Sequence, residues 1–285
     1  MPFSLSPQGH LHFNESAASG LEPRLANLLR QAATSSSAHV LLSLATRALD
    51  APLPPAGAFW REFGRRFITR LCHTPDLPPT GAALAPPPDH ELSALGDAAP
   101  PMPGAEYLRT ETLNNLWREL DTLVLAEIRS YEGGAQAWLK AQNPVWHLVG
   151  RVTFHLAENK RDPDRPFAFL ATYTHRISDQ AKPQYLPLGR ALQDYAGAGN
   201  RSGLLTLLAP VKRAAEKSTL ARELVDSQRV FQPQVWTPRE AHRFLRDIPL
   251  FEDSGLQNRN PSDGLHALSR SRYRDSVESG TLESD

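Results

Sequence analysis

Proline is the feature that most constrains this chain: 25 of its 285 residues are proline, and they are unevenly placed. Proline lacks a backbone N–H and disfavours helix in the residue before it, so a dense run rules out a continuous helix or a central strand. Residues 75–103 read PDLPPTGAALAPPPDHELSALGDAAPPMP, and residues 75–104 are expected to form an extended linker. This divides an N-terminal helical segment, 1–74, from a second domain, 105–256. The final stretch, 257–285, reads QNRNPSDGLHALSRSRYRDSVESGTLESD; it has no sustained apolar period and is expected to be a disordered tail. No internal repeat is present.

Between these breaks the apolar residues fall mainly at helical spacing. Leu21, Leu25, Leu28 and Leu29 fall at helical spacing, with Pro23 at a position that a first helical turn tolerates. Residues 39–49 suit a second helix, and Trp60, Phe63, Phe67 and Leu71 line one face of a third. After the linker, Leu113, Leu116, Trp117, Leu120, Leu123, Val124 and Ile128 give the clearest amphipathic period, stopped by Gly133-Gly134. Alternation then takes over. Val152, Phe154 and Leu156 alternate with Thr153, His155 and Ala157, a polar turn follows, and FAFLATYTHRI (167–177) reads as a second strand. Leu11 and Phe13 suggest a shorter strand near the N-terminus. Helices resume after Leu188: one capped at Gly197, one carrying Leu204, Leu205 and Leu208 and ended by Pro210, and one opened by Thr237-Pro238-Arg239-Glu240. That last string is a capping box in which Thr and Glu satisfy each other's backbone donors. Pro249 is expected to end it. The fold class is therefore α+β, predominantly helical with a small antiparallel β-hairpin.

Composition excludes several classes. A single cysteine, Cys72, cannot form an intramolecular disulfide. No apolar run approaches the ~18 residues of a membrane span, and MPFSLSPQGHLHFNE is not a secretory leader, so a cytoplasmic location with no membrane partner is expected. Formal net charge is zero, although Lys and Arg outnumber Asp and Glu twofold between 190 and 246.

Candidate chemistry is sparse. No GxxxxGK[ST] phosphate loop and no acidic box for a metal occur. The glycine cluster AGAGNRSG, 196–203, follows a helical pattern rather than a strand, so it reads as a helix–helix turn. His10 and His12 lack further ligands nearby for a metal. Cys72 reads as a buried thiol, and Glu158 and Asp162 as turn-solvating charges. Tyr173 shares a strand face with Phe167 and Phe169, which favours core packing over base stacking. Lys212, Arg213 and Lys217 are the candidate nucleic-acid contacts, set against a solvated-face reading because Glu216, Glu223 and Asp226 interleave with them.

The strings NPVWHLVGRVTFHLAENK, PFAFLATYTHRIS, LPLGRALQDYAGAGN, PVKRAAEKS, ELVDS and WTPREAHRFLRDIP, in that order between residues 143 and 255, resemble the helicase-associated N-terminal region of bacterial Swi/Snf-type DEAD/DEAH-box helicases. The resemblance implies membership of a DNA-dependent ATPase family whose complete proteins use ATP and magnesium in two RecA-like lobes. The chain departs from the family's pattern after Leu256, before any ATPase motif. It is therefore expected to be a non-catalytic accessory region, truncated or split from its motor, inactive alone and with no cofactor of its own. The alternative is a self-standing interaction module acting in trans with a separately encoded motor. Weak contact with duplex DNA is the other expected partnership. The apolar face of the capped helix, with Trp236, is expected to need a covering partner.

Overall fold

The computed structural model describes residues 1–18, 20–74, 83–178, 180–199 and 201–260. The protein is α+β, with ten α-helices among the described residues, a two-stranded antiparallel hairpin and a five-stranded mixed sheet. It divides into two compact units, Met1–His147 with Ile177–Lys182, and Leu148–Arg176 with the residues from Pro183 onward.

The first unit opens with the hairpin β1 (Phe3–Leu5) and β2 (Leu11–Phe13), in which Phe3 lies opposite Phe13 and Leu5 opposite Leu11. Helix α1 (Pro23–Ser35) starts at a proline, and Ser36 then caps α2 (Ser37–Thr46) by accepting from the His39 N–H. Most of α2 is buried, which fits its run of small and aliphatic residues. Helix α3 (Pro55–Cys72) crosses it closely at Gly64, where a Cβ would come within 2.7 Å of the Leu41 carbonyl oxygen. Trp60, Phe63 and Phe67 on α3 meet Trp117 of α5 (Thr110–Ser130) in a chain of edge-on ring contacts, geometry that the aromatic quadrupole favours. Helix α6 (Gly134–Gln142) completes the unit by burying Trp138 and Leu139.

The proline-rich stretch departs from expectation. Residues 75–82 lie outside the described residues, but those that follow are not an extended linker. Leu84 is buried, its N–H donating to the Asp121 carboxylate (3.0 Å) and its carbonyl accepting from the Trp117 indole (2.9 Å). Pro88 then precedes α4 (Asp89–Asp97), with Asp89 and Glu91 in its first turn and Leu92 and Leu95 buried. Prolines before a helix start cost it nothing, and acidic residues there suit the helix dipole. The expected boundary at 75–104 consequently differs from the observed division, because α4 and α5 pack together inside the first unit.

The second unit is built on β3 (Val152–Glu158) and β4 (Phe167–Ile177), antiparallel with Val152 opposite Tyr173 and Glu158 opposite Phe167. The expected hairpin is thus present, but as the centre of a larger sheet. Strand β5 (Pro183–Pro187) neighbours β4, and β6 (Gln234–Trp236) pairs antiparallel with the start of β4. Strand β7 (Gln257–Arg259) pairs parallel with β3. One sheet face is apolar: Val152, Phe154, Leu156, Phe169, Ala171 and Tyr173 pack against residues of α7 (Leu188–Gly197), α8 (Arg201–Lys217), α9 (Thr219–Asp226) and α10 (Pro238–Glu252).

Further expectations give way to tertiary structure. Helix α8 runs through Pro210 to Lys217, and α10 runs through Pro249 to Glu252. In each, buried residues on both sides of the proline (Leu207 and Val211; Phe244 and Phe251) hold the axis together across the lost hydrogen bond. The turn after α7 uses Gly199 in the left-handed region (φ +64°), while Gly197 is the last helical residue. The tail begins as β7 rather than as disorder; residues 261–285 lie outside the described residues. The capping box at Thr237 and Glu240 is present in full. The apolar face of α10 is largely covered, although Leu245 and Leu250 stay exposed. Phe244 and Phe251 are fully buried, and Trp236 stacks on Phe169 with ring centroids 4.4 Å apart and planes 7° from parallel.

Candidate functional site

The second face of the large sheet is polar and yet buried, which sets it apart from ordinary sheet architecture. Strand alternation places Thr153 and His155 on the side opposite Phe154, and the register sets Thr172 of β4 opposite Thr153. Thr153, His155, Thr172 and Thr174 are each at most 2% exposed. The His155 Nε2 and the Thr172 hydroxyl are 2.7 Å apart. The ring of Tyr185, from β5, meets the His155 imidazole edge-on at 5.8 Å, and the Arg259 guanidinium of β7 sits over Tyr185 at 5.3 Å. Four strands thus contribute to one cluster.

Burial dominates its electrostatics. The His155 imidazole is pushed down to about 3, first by loss of solvent and second by the Arg259 charge. Burial likewise raises the Tyr185 phenol, with Arg259 opposing. His155 is therefore neutral at physiological pH, and its Nδ1 is sealed from solvent with no hydrogen-bond partner among the described residues. A general base works best with a pKa near the working pH, so an imidazole near 3 cannot deprotonate the Thr172 hydroxyl usefully. The sequence pattern places His155 on the strand face opposite Phe154 and does not single out Tyr185 or Arg259. No local signal joins these three, because the sheet register brings them together.

Of the expected nucleic-acid contacts, two hold the chain's own backbone or side chains. The Arg213 Nε and Nη2 donate to the Ser254 carbonyl (3.2 and 3.1 Å), and Lys217 pairs with Asp253, holding that carboxyl below its usual range. Both pin the turn between α10 and β7. There the Leu256 N–H donates to Phe251 O and the Gly255 N–H to Glu252 O, the paired bonds of a Schellman motif, with Gly255 at φ +86°. Lys212 is exposed and is the member of the trio without a partner among the described residues. A further ion pair, bidentate between Arg243 and Glu223 (3.0 and 2.8 Å), joins α10 to α9 and lowers the Glu223 carboxyl.

The remaining candidates resolve into structural roles. The Cys72 thiol is buried and donates to the Trp146 carbonyl (3.4 Å). Asp162 accepts from the Asp164 and Arg165 N–H groups and so shapes the β3–β4 turn, while Glu158 lies 3.9 Å from Lys160. Tyr173 is in the core, its hydroxyl 3.1 Å from that of Tyr195. His10 and His12, both exposed, line an open polar groove of about 1210 Å³ in the first unit, beside Arg109, Arg118, Glu111 and Glu119. Its charges balance, and no cluster of three or more metal-ligating side chains occurs among the described residues. The glycine-rich turn joins helix α7 to helix α8 rather than a strand to a helix. Among the described residues no helix is long and apolar enough to cross a membrane. Comparisons with protein-family models, curated proteins and solved structures find no match to this chain.

Proposed function

We propose that this chain is a non-catalytic accessory region of a Swi/Snf-type DNA-dependent ATPase, working in the cytoplasm to regulate that motor or seat it on duplex DNA. One observation carries the reading. The strings that resemble the family fall mainly in the second unit: they supply β3, β4, α7, the second half of α8, the end of α9 and most of α10, which pack around one core, while residues 143–147 of the first string lie in the first unit. A likeness that follows a folding unit is what a shared domain would produce. ATP and magnesium belong, on this reading, to the motor lobes.

A second reading has the chain acting in trans on a separately encoded motor. It is favoured by the covered face of α10, since Trp236, Phe244 and Phe251 are buried within the chain's own second unit. Both readings are tested by measuring DNA-stimulated ATP turnover of a Swi/Snf-type motor core alone, with the chain added, and with the chain fused to its N-terminus. A severalfold change in turnover or in apparent DNA affinity is expected on fusion, and on simple addition too if it acts in trans. No change in either format overturns the assignment.

A further inference from the structure

We infer that the outer side of α10, opposite the buried Phe244 and Phe251, is a docking surface for an acidic amphipathic helix of a partner protein. The inference does not rest on the ATPase reading. From Arg239 to Leu250 the exposed residues of α10 are Arg239, His242, Leu245, Arg246, Pro249 and Leu250. At 3.6 residues per turn they share an arc of about 140°. The set holds two arginines, a histidine and three apolar side chains, with no carboxylate among them. The acids of the same stretch are turned away and engaged. Glu240 closes the capping box, and the buried Asp247 accepts from the Ser218 hydroxyl (2.7 Å) and from Arg246 (3.1 Å). Exposed acids come only at the end of the helix, at Glu252 and at Asp253, and Lys217 pairs with Asp253.

Leu245 and Leu250 are 44% and 37% exposed, and α10 is the one element among the described residues that carries two exposed large hydrophobic side chains. A single leucine in water needs no explanation, whereas two leucines and a proline set between cations on one rigid helix form a patch. The patch selects its occupant by chemistry. Its apolar side chains need an apolar counterface, and its arginines need carboxylates. Arg246 still has 63% of its side chain exposed despite its contact with Asp247, which leaves guanidinium donors available. A helix with leucines at i, i+3, i+4 and i+7 flanked by glutamates supplies both kinds of contact at matching spacing. A second copy of this chain would set arginines against arginines. The phosphates of a nucleic acid would satisfy the arginines but bring nothing apolar to the leucines.

The test uses the full chain and a fluorescein-labelled helical peptide, ELAELLAELEALLEALEE, whose leucines fall on one face between glutamates. Saturable binding by fluorescence anisotropy is expected, at least tenfold tighter than for a shuffled peptide of the same composition. Affinity should fall at least tenfold for Leu245→Gln and for Arg239→Glu, and should not change for Leu205→Gln, which alters an exposed leucine on α8. Acylation of histidines by diethyl pyrocarbonate on the unaltered chain supplies an independent readout: the peptide should shield His242 and leave the exposed His10 reactive. No saturable binding, equal binding of the shuffled peptide, undiminished binding by either α10 variant, or an unshielded His242 overturns the proposal. Self-association of the chain that Leu245→Gln abolishes does so as well, as does displacement of the peptide by duplex DNA that depends on Arg239 and not on Leu245.

Discussion

His155 makes the stability of this protein acid-sensitive in a way that can be calculated and isolated. An unfolded histidine titrates near 6.5, whereas the buried imidazole is held down at about 3. Between those values the unfolded chain binds a proton that the folded chain refuses. Stability is therefore fully present above pH 6.5, falls as the pH drops through that value, and stops falling only below about 3. At pH 5 the unfolded state gains roughly 2 kcal/mol from protonating this one residue, by the linkage relation. That figure holds for any folded value well below 5. Against a typical domain stability of about 5–15 kcal/mol it is a visible loss. The assay is urea unfolding at pH 7 and pH 5 for the natural chain and for His155→Gln, which keeps a polar group for Thr172 but cannot titrate. The natural chain should lose about 2 kcal/mol more than the variant over that interval. Parallel losses in the two proteins would show that the imidazole is not held neutral by burial, and would refute the account of the polar sheet face.

Asp121 works in the opposite sense. Burial raises its carboxyl, outweighing the Leu84 N–H and Arg129, so the folded state favours the protonated form and loses stability as pH rises through the folded value. Asp121→Asn keeps an acceptor for Leu84; it should be at least as stable as the natural chain at pH 7, with the advantage shrinking toward pH 4, and urea unfolding showing a loss at pH 7 would contradict this. Arg213→Ala should cost about 0.5–1.5 kcal/mol by freeing the Ser254 carbonyl, whereas Lys212→Ala should stay within about 0.5 kcal/mol. If the chain contacts duplex DNA through this surface, Lys212→Ala should reduce the log–log salt slope by about 0.9, and an unchanged slope removes Lys212 from the interface.

Long periodic segments were legible in the sequence because many residues vote for the same face. Helix α5 carries its apolar residues over 21 positions, and the structure buries that face except at Leu123, which is only partly covered. The capping box of α10 was readable because both partners lie within three residues of each other. Proline was the misleading signal, for a physical reason. Its local cost is fixed, but the packing that offsets it comes from elsewhere in the chain. In α8 and α10 the residues flanking Pro210 and Pro249 are anchored in the core of the second unit, so the helices continue. In the proline-rich stretch the start signal PPPDHEL was present, with acidic residues ready for a first turn, yet composition alone masked it.

The site was less legible than the fold, because its partners are distant in sequence. Arg213 and Ser254 are 41 residues apart, and Lys217 and Asp253 are 36 apart, so no local pattern distinguishes a lysine that binds DNA from one that fastens a turn. The polar sheet face was hidden by a different ambiguity. Alternation announces two faces but not what covers the second, and Thr153 and His155 look the same whether they meet water or lie buried. Strand β7 takes the argument one step further. Gln, Asn and Arg carry no strand signal of their own, but the pairing is made by backbone groups that every residue here possesses. The Schellman turn delivers the chain beside β3, and a tripeptide of unsuitable side chains becomes a strand. What its side chains then determine is how firmly it stays, and at Asn258 the amide, without a hydrogen-bond partner among the described residues, weakens that hold.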